Sequence, residues 1–221
     1  MKISIQAINI NYNLLSQFQE TTKEVEGYSK FAFFQKRVID FTFSSLLLIL
    51  ASPIMAYTIY RIKKESAGPI LFKQSRVGLN GESFTCIKFR SMHTDMAFNP
   101  YTEDRDPRIF PFGRIMRKMR IDELPQLWNV IKGEMHLIGP RAEWDILVRE
   151  YEKVIPRYKK RHLVRPGITG LAQVLYPYGR NVSDARKKLK YDLKYIESWS
   201  IGLEFKVIWK TIMVVLGRKG V

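Results

Sequence analysis

The chain has 221 residues, of which 37 are Lys or Arg and 21 are Asp or Glu, so its formal net charge is +16. The length suits one domain of ordinary size with an appendage. The single cysteine, Cys86, excludes a disulfide framework and a cysteine-based metal site, and three scattered histidines do not form a zinc site. The positive field predicts an anionic partner: nucleic acid, an anionic membrane face or a phosphorylated small molecule.

Residues 1–35 form a polar arm without assignable chemistry. They contain three lysines and three glutamates, so the whole charge excess lies in residues 36–221. The arm lacks the continuous apolar run of a signal peptide. The chain is therefore divided into the arm 1–35, a membrane segment 36–66 and a globular domain 67–221.

The membrane segment contains an uncharged run from Phe41 to Tyr60. Its length of about 20 residues is that of a bilayer-spanning helix. Basic residues flank the run on both sides, namely Lys36, Arg37, Arg61, Lys63 and Lys64. Because lysine and arginine favour the cytoplasmic side, the two ends of the segment are both expected on that side.

Ser52 and Pro53 interrupt this apolar run. Proline has no N–H, so the carbonyl of Ile49 loses its helical partner, and the Ser52 hydroxyl is well placed to replace it. We expect a helix, a break and a second helix that enter one leaflet and return. A kinked transmembrane helix and a buried core helix are the alternatives.

Short elements follow in the globular domain. Residues 68–78 and 83–92 predict a hairpin, with the basic residues Lys73, Arg76, Lys88 and Arg90. Helices are predicted at 112–119, 123–132, 143–160 and 183–197, and "HLIGPR" and "RPGITG" are interpreted as loops. Residues 199–216 fit an amphipathic helix in the membrane interface, or equally a core-facing helix. The predicted fold class is α/β, mostly helical with a small β-hairpin.

The stretch "IDELPQLWNVIKG" places two adjacent acids at the start of a predicted helix. Asp122 suits the N-cap, Glu123 the first turn, and Gly133 follows the helix end. In this interpretation the acids are purely structural.

A chemical interpretation of the acids rests on the cations nearby. Arg114, Arg117 and Arg120 precede the acids, and Arg141 follows them. Cations and helix amides together can hold a diphosphate. A carboxylate beside arginines is expected to keep a low pKa and to act as a nucleophile, while a second carboxylate can hold Mg²⁺. This set predicts phosphoryl transfer through an acyl-phosphate.

From about residue 36 to 221 the chain resembles the bacterial sugar transferases, the monotopic polyprenyl-phosphate phosphoglycosyl transferases. The matching stretches occur in the family's order. They are "KRVIDF", Ser52-Pro53, "GPILFKQSRVGLNGESFTCIKFRSM", "DPRIFPFGRIMRK", "IDELPQLWNVIKGEMHLIGPR", "RPGITGLAQV" and "YDLKYIESWSIGLEFKVIWKT". The tail is more similar to the exopolysaccharide-type relatives, which often handle hexoses such as glucose or galactose.

The resemblance implies transfer of a sugar-1-phosphate from a UDP-sugar to polyprenyl (undecaprenyl) phosphate, with release of UMP. This would be the first membrane step in making a surface polysaccharide or glycoconjugate. The resemblance further implies a monotopic protein with a re-entrant helix, on the cytoplasmic face of the bacterial inner membrane. The implied partners are the lipid bilayer and downstream glycosyltransferases, and no nucleic acid.

The resemblance also assigns site residues. Asp122 matches the family's nucleophile and Glu123 its Mg²⁺-associated acid. The basic residues that match substrate contacts are Lys88, Arg90, Arg117, Arg141 and Arg180. Two other classes of function stay open from the residues alone. Nucleic-acid binding explains the charge but not Phe41–Tyr60, and a non-catalytic membrane scaffold would leave Asp122 as a helix cap.

Overall fold

The computed structural model describes residues 30–94, 96, 106–176 and 181–217. Most of the predicted arm, residues 1–29, and the predicted substrate contact Arg180 lie outside the described residues. Within the described ranges the helices are α1 (Lys30–Glu65), α2 (Pro111–Met119), α3 (Gln126–Lys132), α4 (Asp145–Val154), α5 (Leu171–Leu175), α6 (Val182–Glu197) and α7 (Ile201–Leu216). The strands there are β1 (Leu71–Val77), β2 (Ser83–Phe89), β3 (His136–Ile138) and β4 (Gly167–Thr169).

Helix α1 is one continuous helix of 36 residues that passes through Pro53. The predicted helix–break–helix is therefore not confirmed, and the boundary predicted at residue 36 falls inside the helix. The predicted compensation at the proline is present, since the Ser52 hydroxyl donates to the Ile49 carbonyl at 2.7 Å. By length and composition alone, Phe34–Glu65 is the one described helix that could cross a bilayer.

The N-terminal half of α1 is anchored to the domain by buried charges. Lys36 is 1% exposed and donates to Glu204 of α7 at 2.9 Å. Asp40 bonds the ring of His136 and accepts from the Leu137 amide, both on β3. Burial lowers the pKa of His136 to about 4, so its imidazole is neutral near pH 7. Lys36, predicted as a membrane-flanking cation, thus lies inside the protein.

The C-terminal half of α1 packs on the same domain through apolar contacts. Ile62 is fully buried in a cluster with Phe89, Phe110, Phe112 and Met116. Between the two anchored ends, the middle of α1 exposes large apolar side chains, among them Leu46, Ile49, Leu50, Ile54 and Tyr57. Both ends of the helix therefore contact one globular domain, while the described residues leave these side chains in its middle exposed.

The predicted hairpin is confirmed. Strands β1 and β2 pair antiparallel, with Leu71 opposite Phe89 and Val77 opposite Ser83. The turn between them needs left-handed backbone at Asn80 and Gly81, which have φ values of 54° and 82°. This pairing presents Lys88 near the middle of the domain, where α3 also packs on β2.

The stretches "HLIGPR" and "RPGITG", predicted as loops, instead form a parallel pair of three-residue strands. His136 in β3 pairs with Gly167 in β4, and Ile138 pairs with Thr169. Glycine is required at the contact, because a Cβ on Gly167 would lie 2.1 Å from the Gly139 nitrogen. Strands of three residues are too short to show an alternation of apolar and polar residues in the sequence. The two paired strands also lie about 30 residues apart in the chain.

The predicted helices are present with shifted bounds. Residues 112–119 match α2, and 183–197 match α6, whereas 123–132 shortens to α3. The predicted helix 143–160 ends at Val154, and a 3₁₀ segment, Tyr158–Leu163, follows it. A second 3₁₀ turn, Ile121–Glu123, holds the acid pair between α2 and α3.

Helix α7 has one buried face and one exposed apolar face. One face is buried through Val207 and Glu204, which pack against α6 and β3. The opposite face exposes Phe205 and Trp209, at 64% and 66%. The core-facing alternative for residues 199–216 is therefore confirmed for one face, and the interfacial placement of the exposed face stays a prediction.

Candidate active site

The acid pair lies at a sharp chain reversal between two helices. Arg120 ends α2 in the left-handed conformation, with φ 59°, and the turn Ile121–Glu123 follows directly. Helix α3 begins only at Gln126, after Pro125, and has no side-chain cap. The interpretation of Asp122 as an N-cap is therefore wrong, because Asp122 precedes the helix by several residues and caps nothing.

Glu123 is the centre of a cation cluster. Its Oε1 accepts from Lys88 at 2.9 Å and pairs with Arg141 at 3.4 Å, and its Oε2 pairs with Arg120 at 3.6 Å. The cations come from β2, from the loop after β3 and from the end of α2. Glu123 thus brings together three segments that are distant in the sequence, and it is buried.

The two acids have opposite electrostatic environments. Burial alone would raise the pKa of Glu123. The charges of Lys88 and Arg141 outweigh this effect and hold the Glu123 pKa well below the usual range. The pKa of Asp122 is raised, because burial and the neighbouring Glu123 charge outweigh the attraction of Lys88 and Arg117. The low pKa expected for Asp122 is therefore wrong. The depressed pKa belongs to Glu123, whose carboxylate forms ion pairs with the nearby cations.

The carboxylate of Asp122 has no hydrogen bond or ion pair with any described residue. The residue is half-buried. Arg117 approaches it from α2, and burial lowers the Arg117 pKa while the Asp122 charge opposes that shift. A carboxylate left without partners beside cations is available to react, as a nucleophile requires.

Arg141 is positioned by residues that the sequence did not single out. The guanidinium of Arg161 donates to the Arg141 carbonyl at 2.9 Å and pairs with Asp192 on α6 at 2.9 Å. It also donates to the Tyr158 hydroxyl at 2.6 Å. The Arg161–Asp192 pair is 31 residues apart in the chain, so no local spacing could have indicated it.

Arg90, predicted as a substrate contact, makes hydrogen bonds to other residues of the protein. It is buried, and its three donor nitrogens bond the hydroxyl and carbonyl of Ser66 and the carbonyl of Pro69. These contacts fasten the end of β2 to the segment that follows α1. Its role in substrate binding stays a prediction.

A small cleft opens beside the cation cluster. Its lining includes the basic residues Arg76, Lys88 and Arg141, and also Gln126 and Gly167. Arg76 is held by Gln74 and by the Ala142 carbonyl. Of the predicted basic residues, the structure therefore brings Lys88, Arg117, Arg120 and Arg141 to the acid pair, and Arg76 lines the cleft beside them.

Taken together, these features define a class of site. An unpaired carboxylate stands beside a carboxylate paired to three cations, and both belong to a domain that carries a long apolar helix. Such a set of groups is suited to an anionic substrate whose phosphates replace carboxylate as the partner of the cations.

Comparison with known proteins agrees with this class. A family model described as bacterial sugar transferase matches residues 31–218, and the chain belongs to this family. The chain is 42% identical over 185 residues to a UDP-N-acetylgalactosamine-undecaprenyl-phosphate N-acetylgalactosaminephosphotransferase of Aeromonas hydrophila. It is 41% identical over 207 residues to an undecaprenyl-phosphate glucose phosphotransferase of Komagataeibacter xylinus. The exopolysaccharide production protein PSS of Rhizobium leguminosarum is 38% identical over 192 residues.

The matches differ in how much of each relative they cover. The match to the Aeromonas protein covers 83% of this chain, the match to the Komagataeibacter protein 88%, and the match to the Rhizobium protein 83%. They cover 44% of the Aeromonas protein, 38% of the Komagataeibacter protein and 96% of the Rhizobium protein. The chain thus spans less than half the length of the first two relatives, and corresponds to nearly all of the third.

Proposed function

We propose that this protein transfers a sugar-1-phosphate from a UDP-sugar to polyprenyl phosphate, with undecaprenyl phosphate as the acceptor. The observation that carries the proposal is the unpaired Asp122 carboxylate beside the cation cluster of Glu123. The names of the relatives support the acceptor, since all of those that name one name undecaprenyl phosphate. This step would begin a surface polysaccharide, whose further growth needs downstream glycosyltransferases.

The reaction proceeds in two displacements at phosphorus. An Asp122 carboxylate oxygen attacks the phosphorus that carries the sugar, and the bond from that phosphorus to the bridging oxygen breaks. UMP leaves with the bridging oxygen, and the sugar phosphate stays on Asp122 as an acyl-phosphate. An oxygen of polyprenyl phosphate then attacks the same phosphorus, which forms polyprenyl-diphosphate-sugar and restores the carboxylate.

The cations supply the electrostatic part of catalysis. Lys88 and Arg141 are within 3.4 Å of Glu123, one residue from the nucleophile, and Arg117 reaches Asp122 from the other side. Cations aimed where charge develops stabilise the transition state without reorganising. The low pKa of Glu123 keeps its charge in place, so the cations stay oriented before substrate arrives.

A Mg²⁺ ion is part of this proposal, with Glu123 as its protein ligand. Mg²⁺ in such sites binds one or two carboxylates and takes its other oxygens from water and substrate phosphates. The adjacent carboxylates fit that limited donor set, whereas the described residues hold no group of three or more side chains that could form a complete metal site. The ion would screen the repulsion between a carboxylate and a phosphate. Full activity in excess chelator would exclude this role for Glu123.

The membrane placement that we propose is monotopic, with α1 re-entrant. Arg37 contacts α3 and Ile62 lies in the core beside α2, so both ends of α1 contact one domain. A helix crossing the bilayer would require that domain to occupy both faces of the membrane. A bend of α1 at Pro53 in the membrane would let the exposed middle of α1 and the apolar face of α7 share one leaflet, on the cytoplasmic face.

The sugar is tested by measuring UMP release from a panel of UDP-sugars with polyprenyl phosphate in detergent or lipid nanodiscs. We propose a hexose donor, such as UDP-glucose or UDP-galactose. The relatives act on glucose and on N-acetylgalactosamine by name, so both classes of sugar belong in the panel. No UMP release with any donor would contradict the transferase proposal and favour a non-catalytic scaffold.

A further inference from the structure

The two helices that flank the acid pair are each held at the far end by a side chain of α1. At the N-terminus of α2, the Glu65 carboxylate accepts from the Phe112 amide at 2.8 Å. Helix α2 has no cap of its own there, because Phe110 offers no side-chain acceptor and the first turn contains no acid. Glu65, the last residue of α1, thus provides the acceptor that α2 lacks.

Arg61 reinforces this contact between α1 and α2. Its guanidinium pairs with Glu65 one turn away and lies 4.6 Å from the centre of the Phe112 ring. The carboxylate is therefore oriented by a neighbour on its own helix, and the first turn of α2 is held both by a hydrogen bond and by a cation–π contact.

At the C-terminus of α3, the partner is Arg37. Its guanidinium donates to the carbonyls of Val130 and Ile131 at 2.5 and 2.6 Å. Those carbonyls belong to the last turn of a helix, where the usual donors from the following turn are missing. The Val130 carbonyl also accepts from the Gly133 amide at 2.9 Å, so Arg37 adds to the backbone cap there. Gly133 lies beside this contact, where a Cβ would meet the Arg37 guanidinium at an ordinary van der Waals distance of 3.4 Å, and it is the left-handed backbone there, with φ 86°, that favours glycine.

The signs of both contacts match the helix dipoles. The acid is at the N-terminus of α2 and the cation is at the C-terminus of α3, which is the favourable arrangement at each end. Between these two fixed ends lie Arg117, Arg120 and the acid pair. A shift of either helix would move the nucleophile relative to its cations.

We propose that Arg37 and Glu65 are positioning residues, through which α1 sets the orientation of α2 and α3 and thereby of Asp122. Neither side chain touches the acid pair in a described contact, so their effect passes through the two helices. The inference rests on the proposed function for its catalytic consequence. Its structural part, the capping of both helices by α1, can be tested independently.

The test compares Glu65→Ala and Arg37→Ala in the full chain in lipid nanodiscs, by hydrogen exchange and by adduct formation. Loss of a cap opens the affected turn, so exchange should be about fivefold faster in 111–119 for Glu65→Ala and in 126–133 for Arg37→Ala. Each variant should leave the other helix and α6 unchanged. The rate of Asp122 adduct formation from UDP-sugar should fall by about tenfold or more in both, with little change in the melting temperature.

Matched controls are Glu150→Ala and Arg149→Ala, two exposed positions on α4 that should change neither readout. Glu65→Gln keeps an acceptor oxygen and Arg37→Lys keeps a donor, so both should recover part of the exchange protection and of the rate. The inference is overturned by unchanged exchange in 111–119 and 126–133, by a rise in exchange over the whole domain, or by local opening with a normal rate. A wild-type protein that forms no adduct contradicts the proposed function alone, and local exchange then decides the capping.

Discussion

At the scale of single residues, Asp122 and Glu123 are adjacent in the chain but differ in their partners. Glu123 is ion-paired on both oxygens, whereas the Asp122 carboxylate has no partner among the described residues. A buried charge without a partner destabilises the fold, and such groups occur at functional sites. The structure thus separates the pair into a group that holds cations and a group that can react.

Replacing Asp122 with Asn should abolish turnover without harming the fold. The amide cannot form the acyl-phosphate, so activity should fall by about a thousandfold or more. Because the Asp122 pKa is raised in the folded state, the folded protein disfavours the charge on this side chain, so removing that charge should leave the melting temperature equal to or above that of the wild type. Thermal denaturation beside a UMP assay checks both parts, and a lower melting temperature would contradict this account.

Glu123→Gln should have the opposite effect on stability. A carboxylate with a depressed pKa stabilises the fold above its unfolded pKa, and neutralising it leaves Lys88, Arg120 and Arg141 without their shared anion. We expect a folded protein destabilised by about 2 kcal/mol at pH 7, allowing for the partial exposure of the arginines. Denaturant unfolding measures this, with the exposed Glu150→Gln as control. Unchanged stability would show that the cluster is solvent-screened.

The raised pKa of Asp122 predicts the acid limb of the pH profile. The nucleophile must be ionised, so adduct formation should be present above the folded pKa and lost as pH falls through it. The midpoint should lie above about 4, the ordinary value for an aspartate. Glu123 stays ionised over this range and contributes no limb. Single-turnover rates from pH 4 to 8 give the midpoint, and a flat profile down to pH 4 would contradict the assignment.

Sequence reasoning named the acids and four of their cations, but not how they pair. The four cations, predicted from motifs that lie within short stretches, are Lys88, Arg117, Arg120 and Arg141. Which of the two acids pairs with the cations depends on side chains that come together from three segments of the chain. No local sequence pattern reveals such contacts. Arg37 was interpreted as a membrane-flanking charge for the same reason, since its contact with α3 is 93 residues away in the chain.

At the scale of secondary-structure elements, α1 decides the relation of the protein to the membrane. We expect its two ends to lie on the cytoplasmic side. In a background with Cys86 replaced by Ser, single cysteines at the exposed positions Phe34 and Lys64 should both react with an impermeant reagent from that side only. A cysteine at Ile49, in the exposed apolar middle, should be protected from both sides.

The control for topology is Pro53. Replacing it with Ala or Leu restores a backbone N–H and should shift some molecules toward a straight span, with the two ends on opposite sides. If the ends of the unmodified helix react from opposite sides, the re-entrant placement is wrong and α1 is a transmembrane helix.

Secondary-structure elements were predicted correctly where the local sequence pattern was strong. The hairpin has β-branched and aromatic residues in both strands, and its residues 68–78 and 83–92 contained the observed strands. Strands β3 and β4 were missed, since three residues that pair across the domain leave no pattern. The continuity of α1 through Pro53 was also missed, because the Ser52 hydroxyl satisfies the Ile49 carbonyl without ending the helix.

At the scale of the whole molecule, the charged site and the apolar surface belong to one arrangement. The apolar middle of α1 and the exposed face of α7, with Phe205 and Trp209, suit a leaflet, while the acid pair lies between helices that α1 caps. In the proposed function, a lipid-linked phosphate at the membrane surface and a soluble nucleotide-sugar would reach the same site. The family to which the chain belongs is consistent with this meeting of substrates.

The central claim is that Asp122 carries the sugar phosphate between the two substrates. The most direct test incubates the wild-type protein with a UDP-sugar and Mg²⁺, without polyprenyl phosphate, and measures the intact and peptide masses. The account predicts the added mass of one sugar phosphate on a peptide containing Asp122, release of UMP, and loss of the adduct when polyprenyl phosphate is supplied. An active wild-type protein that never shows this adduct, together with an Asp122→Asn variant that turns over normally, would contradict it.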